Sequence, residues 1–317
     1  MEKRIKYGLI ILLVIVIAVF TGASFYMLGY SLTPKHNKGK DLAASYTYMF
    51  KEYPYLKPWV DSLKQVGALR DTFIVNPHGI KLHANYVKAS TPTDKTAVIV
   101  HGYTDNSIRM LMIGYLYSRN LKYNILLPDL QDNGLSEGKA IQMGWKDRLD
   151  VLQWMDVTNQ LYGGHTQMVV HGISMGAATT MMLSGEMQAS YVKCFVEDCG
   201  YTSVWDEFKQ ELKEQYGLPA FPLLYMTNTL CSVKYGWSFM EASALKQVAK
   251  CHLPMLFIHG DADTYVPTRM VYPLYSAKPD PKEIWIVRGG VEHAISYKTH
   301  PGEYTKRVNE FTRKYIQ

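Results

Sequence analysis

From Thr72 onward, short apolar runs alternate with stretches whose apolar residues recur at helical spacing. Thr72-Phe73-Ile74-Val75 and Ile80-Lys81-Leu82-His83-Ala84-Asn85-Tyr86, joined by Asn76-Pro77-His78-Gly79, predict an antiparallel hairpin. Further strands are predicted at 96–100, 124–128, 167–171, 192–197, 254–259 and 283–288. Several are Val, Ile and Leu runs with little polar alternation, as in strands covered on both faces. Helices near 106–120, 143–161, 175–189, 265–277 and 301–315 fill the gaps. This order predicts a doubly wound, mostly parallel eight-stranded sheet with an antiparallel start.

Two stretches break the alternation. Residues 201–250, between Gly200 and Cys251, are too long for a simple crossover and carry Trp205, Phe208, Phe221, Tyr225, Trp237 and Phe239. A helical lid is expected there, its aromatics either lining an apolar pocket or packing the lid onto the body. Upstream, Asp41 to Arg70 reads as a helical segment interrupted by Pro54 and Pro58, with Tyr46, Met49, Phe50 and Tyr53 on one face that packs on the domain.

The amino terminus has no polar face. Lys3, Arg4 and Lys6 precede 28 uncharged positions, Tyr7 through Pro34, and about 20 apolar residues suffice to cross a bilayer. The expectation is a signal anchor with a cytoplasmic N-terminus and an extracytoplasmic domain in the cell membrane. The competing reading is secretion after signal-peptide cleavage near Thr21-Gly22-Ala23. The expected organisation is therefore 1–34 transmembrane helix, 35–70 juxtamembrane helical segment and 71–317 α/β domain with the lid insertion 201–250.

Charge changes little. Six of the 34 Lys/Arg and one of the 28 Asp/Glu lie in residues 1–40, leaving 28 against 27 in the rest of the chain. A near-neutral domain without a basic stripe argues against nucleic acid as a partner. Cys194, Cys199, Cys231 and Cys251 show no C-x-x-C pair and no metal-ligand spacing, so packed free thiols are expected.

The chemistry concentrates at Gly172-Ile173-Ser174-Met175-Gly176, where an apolar strand meets the small-residue run Ala177-Ala178-Thr179. A serine at such a turn is a nucleophile elbow, with glycines that avoid Cβ clashes. A nucleophilic serine needs a base and a group to orient it. Phe257-Ile258-His259-Gly260-Asp261-Ala262-Asp263 places Asp263 in the loop after one strand, and Gly289-Gly290-Val291-Glu292-His293 places His293 after the next. All three side chains project from the carboxyl edge of the sheet. The backbone N–H groups of Tyr103, after the 96–100 strand, and of Met175 are the expected oxyanion donors. No metal or cofactor is required. Among rivals, Asp198 follows another strand end, Asp261 suits a turn, His300 precedes Pro301 in a surface turn, His171 reads as a core histidine, and His101 as shaping its own loop.

The order Ser, Asp, His resembles the α/β-hydrolase superfamily from about Thr72 to the C-terminus. Through His101-Gly102-Tyr103-Thr104, Pro128-Asp129-Leu130-Gln131-Asp132-Asn133-Gly134-Leu135-Ser136-Glu137-Gly138 and His259-Gly260-Asp261-Ala262-Asp263, it looks more narrowly like membrane-anchored bacterial serine aminopeptidase-like and cell-surface esterase proteins. Gln131-Asp132-Asn133 departs from the Arg-Gly-His usual there, which bears on loop contacts and not on the triad. The resemblance implies an α/β-hydrolase fold and acyl transfer to water from a small-molecule ester, thioester or short peptide, with acyltransferase chemistry or a non-catalytic membrane-tethered domain as alternatives. A peptidase would have to recognise a substrate amine. Glu207, Glu211 and Glu214 fall on one helical face, yet alternate with Lys209 and Lys213 and read as a solvated face. Oligomeric state is not legible from these patterns.

Overall fold

In a computed structural model, which describes residues 2–34 and 37–317, eight strands form one sheet. They are β1 Leu69–Val75, β2 Lys81–Val87, β3 Lys95–Val100, β4 Asn124–Pro128, β5 Gln167–Ile173, β6 Val192–Asp198, β7 Met255–Gly260 and β8 Lys282–Val287. Their order is β1-β2-β4-β3-β5-β6-β7-β8. β2 runs antiparallel to β1 and β4, and every other pair is parallel. The expected hairpin is present but longer. β1 starts at Leu69, inside the stretch expected to be helical to Arg70, because Leu69 and Arg70 still pair with Val87 and Tyr86.

The central strands are buried on both faces, and their side chains divide with period two. Val98 and Val100 of β3, Leu126 of β4, Val170 of β5 and Phe257 of β7 enter one core. Ala97, Ile99, Ile125, Val169 and Ile258 enter the other. Helices cover both. They are α1 Glu2–Leu32, α2 Leu42–Glu52, α3 Leu56–Gln65, α4 Leu111–Tyr115, α5 Asp147–Leu161, α6 Met175–Ser184, α7 Val204–Tyr216, α8 Leu223–Tyr235, α9 Ala244–Val248, α10 Val271–Ala277, α11 Ser296–Thr299 and α12 Pro301–Thr312. Residues of α5, α6, α9 and α10 complete the first core, and residues of α3, α4 and α12 the second. Met49 and Tyr53 of the expected aromatic face are buried in the second core, with Tyr46 and Phe50 packed beside them.

α1 is long and apolar enough to cross a membrane. Ile5, Leu9 to Ile15, Ile17 and Val19 are exposed, whereas Leu28 and Leu32 are buried in the first core. The last turns are fastened to the domain: the Tyr103 hydroxyl donates to the Ser31 carbonyl at 2.8 Å and the Ile141 N–H to the Leu32 carbonyl at 2.8 Å. α1 also packs on α8, one of three helices in the insertion between β6 and β7.

Candidate active site

β3 lies between β4 and β5, so the strand order reverses there and the loops beyond the carboxyl ends open a crevice. Ser174 sits between β5 and α6 at φ 58° and ψ −120°, a backbone state that costs on the order of 1–3 kcal/mol and persists only when its surroundings enforce it. Here they do. A Cβ on Gly172 would stand 2.0 Å from the Gly176 carbonyl oxygen, and one on Gly176 would stand 2.1 Å from that of Val100. Neither position tolerates a side chain, because the turn folds tightly on itself and against β3.

The three residues expected to cooperate meet. Ser174 Oγ lies 2.8 Å from His293 Nε2, and His293 Nδ1 lies 2.7 Å from Asp263 Oδ2. With Nδ1 donating to the carboxylate, Nε2 is the ring atom that accepts from the hydroxyl. Asp263 Oδ1 accepts the N–H groups of Tyr265 and Val266 at 3.1 and 3.0 Å, which locks the carboxylate in its loop. The Tyr265 ring lies 5.0 Å from that of His293. Met175 N–H opens α6, where the leading N–H groups have no intrahelical acceptor. A Cβ on Gly102 would touch that of Ser174 at 3.5 Å, so the loop carrying Tyr103 runs beside the serine.

His259 is a partner that the sequence motif did not expose. Its Nε2 lies 3.3 Å from Asp263 Oδ2 and donates to the Val266 carbonyl at 2.9 Å. Burial alone would raise the Asp263 pKa, but the hydrogen bonds from His259 and His293 reverse this and hold it below the ordinary carboxylate range. For His259, burial favours the neutral ring, and Asp263 outweighs it, raising the pKa. Asp263 is therefore an anion held between two imidazoles. The signal was a histidine four residues earlier at the end of β7, but only the loop's fold back across it makes the contact.

The rivals are occupied elsewhere. Asp198 accepts from the hydroxyls of Tyr304 and Ser296 at 3.0 and 3.2 Å. Asp261 accepts three successive N–H groups from Gly289, Gly290 and Val291 and thereby shapes the His293 loop. His171 is buried between the hydroxyls of Tyr117 and Tyr304, with its pKa pushed by burial down to about 3. His101 bonds the Gly102 carbonyl through Nδ1 and accepts the Leu130 N–H at Nε2. His300 bonds Thr299 at the surface ahead of α12. The Gln131 departure is absorbed by a buried network in which its amide donates to Asp150 at 2.6 Å and its N–H to Asp147 at 3.3 Å. All four cysteines are buried and free. Cys199 Sγ gathers with Asp263 and His293 within 4.8 Å, but burial first and then the nearby carboxylates push its thiol pKa far up, and the other two groups are spent on each other.

A cavity of about 370 Å³ opens beside Ser174. Its walls include Tyr103, Met143 and Met175 from the body, Phe208, Leu212, Leu223 and Leu224 from α7 and α8, Phe239 beyond them, and Met27, Tyr30, Ser31 and Pro34 from α1 and its exit. The aromatics of the insertion thus divide. Phe208 and Phe239 line the cavity, while Trp237 is buried and donates to Gln142 at 3.0 Å, and Trp205 packs edge-on against Tyr225. The expected solvated face of α7 also divides: Lys209, Lys213 and Glu214 are exposed, but Glu207 is buried and lines the cavity with Glu211. That turn of α7 borders the cavity, which spacing within the helix does not reveal.

A nucleophile elbow on a mostly parallel sheet, with helices on both faces and an aspartate–histidine pair delivered from later strand ends, defines an α/β-hydrolase. The chain belongs to the prolyl oligopeptidase family, whose model matches residues 137–317. It is 30% identical over 226 residues to the uncharacterized protein YqkD of Bacillus subtilis, spanning 71% of this chain and 73% of that one. Over 240 residues it is 24% identical to the uncharacterized protein YfhR of Escherichia coli, covering 74% and 76% of the two chains. Among solved structures, an esterase of Pyrococcus furiosus, Pf2001, superposes with a TM-score of 0.64 at 23% identity over 80% of this chain and 96% of its own. The acylaminoacyl peptidase of Pyrococcus horikoshii does so with 0.58 at 15%, over 80% and 43%. The protein is accordingly a serine hydrolase of the α/β-hydrolase class.

Proposed function

We propose that this protein hydrolyses carboxylic esters or thioesters through an acyl-enzyme on Ser174. The observation that carries the reading is the relay of 2.8 and 2.7 Å from Ser174 through His293 to Asp263, at the edge of a largely apolar cavity. Ser174 Oγ attacks the carbonyl carbon as its proton passes to His293 Nε2, and the carbonyl π pair moves onto oxygen. The N–H groups of Tyr103 and Met175 receive that oxyanion. Collapse expels the alkoxide or thiolate, which takes the proton from His293, and water repeats the sequence to free the acid. Asp263 stays ionised and stabilises the imidazolium.

Replacing Ser174 by Ala should abolish labelling by a fluorophosphonate and lower turnover by several powers of ten, leaving roughly 10³–10⁴-fold over water. Wild-type turnover in that variant would end the proposal. Peptide cleavage is the second reading, favoured by the family to which residues 137–317 belong. Rates on an acyl ester and on the matching aminoacyl amide separate the two. In the same reading α1 holds the domain at the outer face of the cell membrane with the N-terminus in the cytoplasm, because Lys3, Arg4 and Lys6 precede the apolar run.

A further inference from the structure

Glu207 is out of place for a lid residue. It stands in the first turn of α7, 4% exposed, and its Oε2 has no hydrogen-bond partner among the described residues. Glu211 follows one helical turn later, and both line the cavity that holds Ser174. A buried carboxyl without a donor is costly, and the cost is relieved either by a proton or by a cationic donor placed against it.

We propose that Glu207 and Glu211 form a subsite for a protonated amine, so that the preferred substrate is an amphiphile carrying an ammonium group on an apolar body. The inference rests on the serine-hydrolase reading of Ser174 and names the substrate class of that same cavity. Phe208, Leu212 and Leu224 supply the apolar wall on the same two helices. Tyr201 and Tyr265 line the cavity as well, and aromatic side chains attract a cation that meets their ring faces.

Among the described residues, no cation pairs with either glutamate. Lys209 and Lys213 are exposed on the outer side of α7, and Arg269 is engaged with Gln210 at 2.7 Å. Lys38 lines the cavity at its exposed rim and forms no ion pair with either glutamate among the described residues. Burial first, then Glu211, Asp263 and Asp206, drives the Glu207 carboxyl well above the ordinary carboxylate range. An entering ammonium replaces the proton that burial favours and brings donors with it. A calcium-like ion asks for six to eight oxygen ligands, and the neighbouring wall of Phe208, Leu212 and Leu224 offers none from its side chains.

The test uses the full chain in detergent micelles and the naphthyl esters of hexanoic, 2-aminohexanoic and 6-aminohexanoic acids. At least one amino ester should exceed hexanoate about tenfold or more in kcat/KM. Glu207→Gln should reduce that preference about ten- to a hundredfold, the scale of a hydrogen bond to a charged group. Hexylammonium should inhibit competitively and more strongly than hexanol. Glu211→Gln, at a half-buried position, should show the same direction, and it decides the matter if Glu207→Gln does not unfold cooperatively. Equal rates on the three esters, or a preference indifferent to both substitutions, overturn the subsite while leaving the hydrolase intact. Failure to turn over any ester together with absence of fluorophosphonate labelling removes the hydrolase reading, and the subsite with it.

Discussion

At the scale of single residues, the site is built from groups that restrain one another. Asp263 spends one oxygen on two backbone N–H groups and the other on two imidazoles. Exchanging it for Asn should leave the loop in place but present the wrong partner to His293, lowering kcat on the order of 10⁴-fold. In the proposed relay His259 acts through Asp263, as a positioning residue. Its replacement by Gln should lower kcat with little change in KM and move the pH profile of kcat, because one of the two rings that stabilise the carboxylate is gone. An unmoved profile with reduced thermal stability alone would reduce His259 to a packing role. Gly172 and Gly176 admit no such gradation: contacts of 2.0 and 2.1 Å to backbone atoms mean that even Ala at either position must displace the elbow.

At the scale of elements, α1 does two jobs. Its stretch from Leu9 to Val19 is exposed and apolar, while its last turns bury Leu28 and Leu32 and give Met27, Tyr30 and Ser31 to the cavity wall. Removing residues 1–36 should therefore impair hydrolysis of long acyl esters more than of short ones, and measuring kcat/KM across a chain-length series checks this. Leu32→Ala in the full chain should destabilise the domain by about 2–5 kcal/mol, the range for a buried leucine. An unchanged unfolding midpoint would show that the helix does not dock. α7 and α8 matter for the same reason, since they complete a cavity whose other side is α1.

At the scale of the molecule, several buried carboxyls make stability depend on pH in one direction. Burial, then the neighbouring Asp150, pushes Asp147 up to about 7, while burial is also the leading cause that takes Glu197 to about 8 and Asp198 to about 6. Each favours its neutral form when folded, so its contribution is fully present below the unfolded value near 4 and fades as pH rises through the folded value. Asp147→Asn removes one of these. Wild-type stability relative to this variant should fall between about pH 4 and 7, by a few kcal/mol at most, and then level off. Denaturant titrations at a series of pH values measure it, and a difference independent of pH would show that Asp147 is not neutral in the fold. Protease protection of the domain from the cytoplasmic side tests the proposed orientation of the whole chain.

The local pattern already held the eight strands, because short runs of Val, Ile and Leu, covered on both faces, stand out between helical stretches within a few residues. It also held the elbow and the order of Ser174, Asp263 and His293, since each lies just past a strand whose end is readable and parallel strands deliver their ends to one edge. What it lacked depends on which distant surfaces touch. Glu207 read as solvated beside Lys209 because helical spacing says nothing of what faces the helix. His259 read as part of a motif because its contact exists only after the Asp263 loop folds back. The end of α1 read as part of the 1–34 membrane span because apolarity alone does not separate lipid from protein. Chain-local chemistry decided the strands and the order in which Ser174, Asp263 and His293 follow their strand ends; packing between remote segments decided the cavity, its buried acid and the helix that closes it.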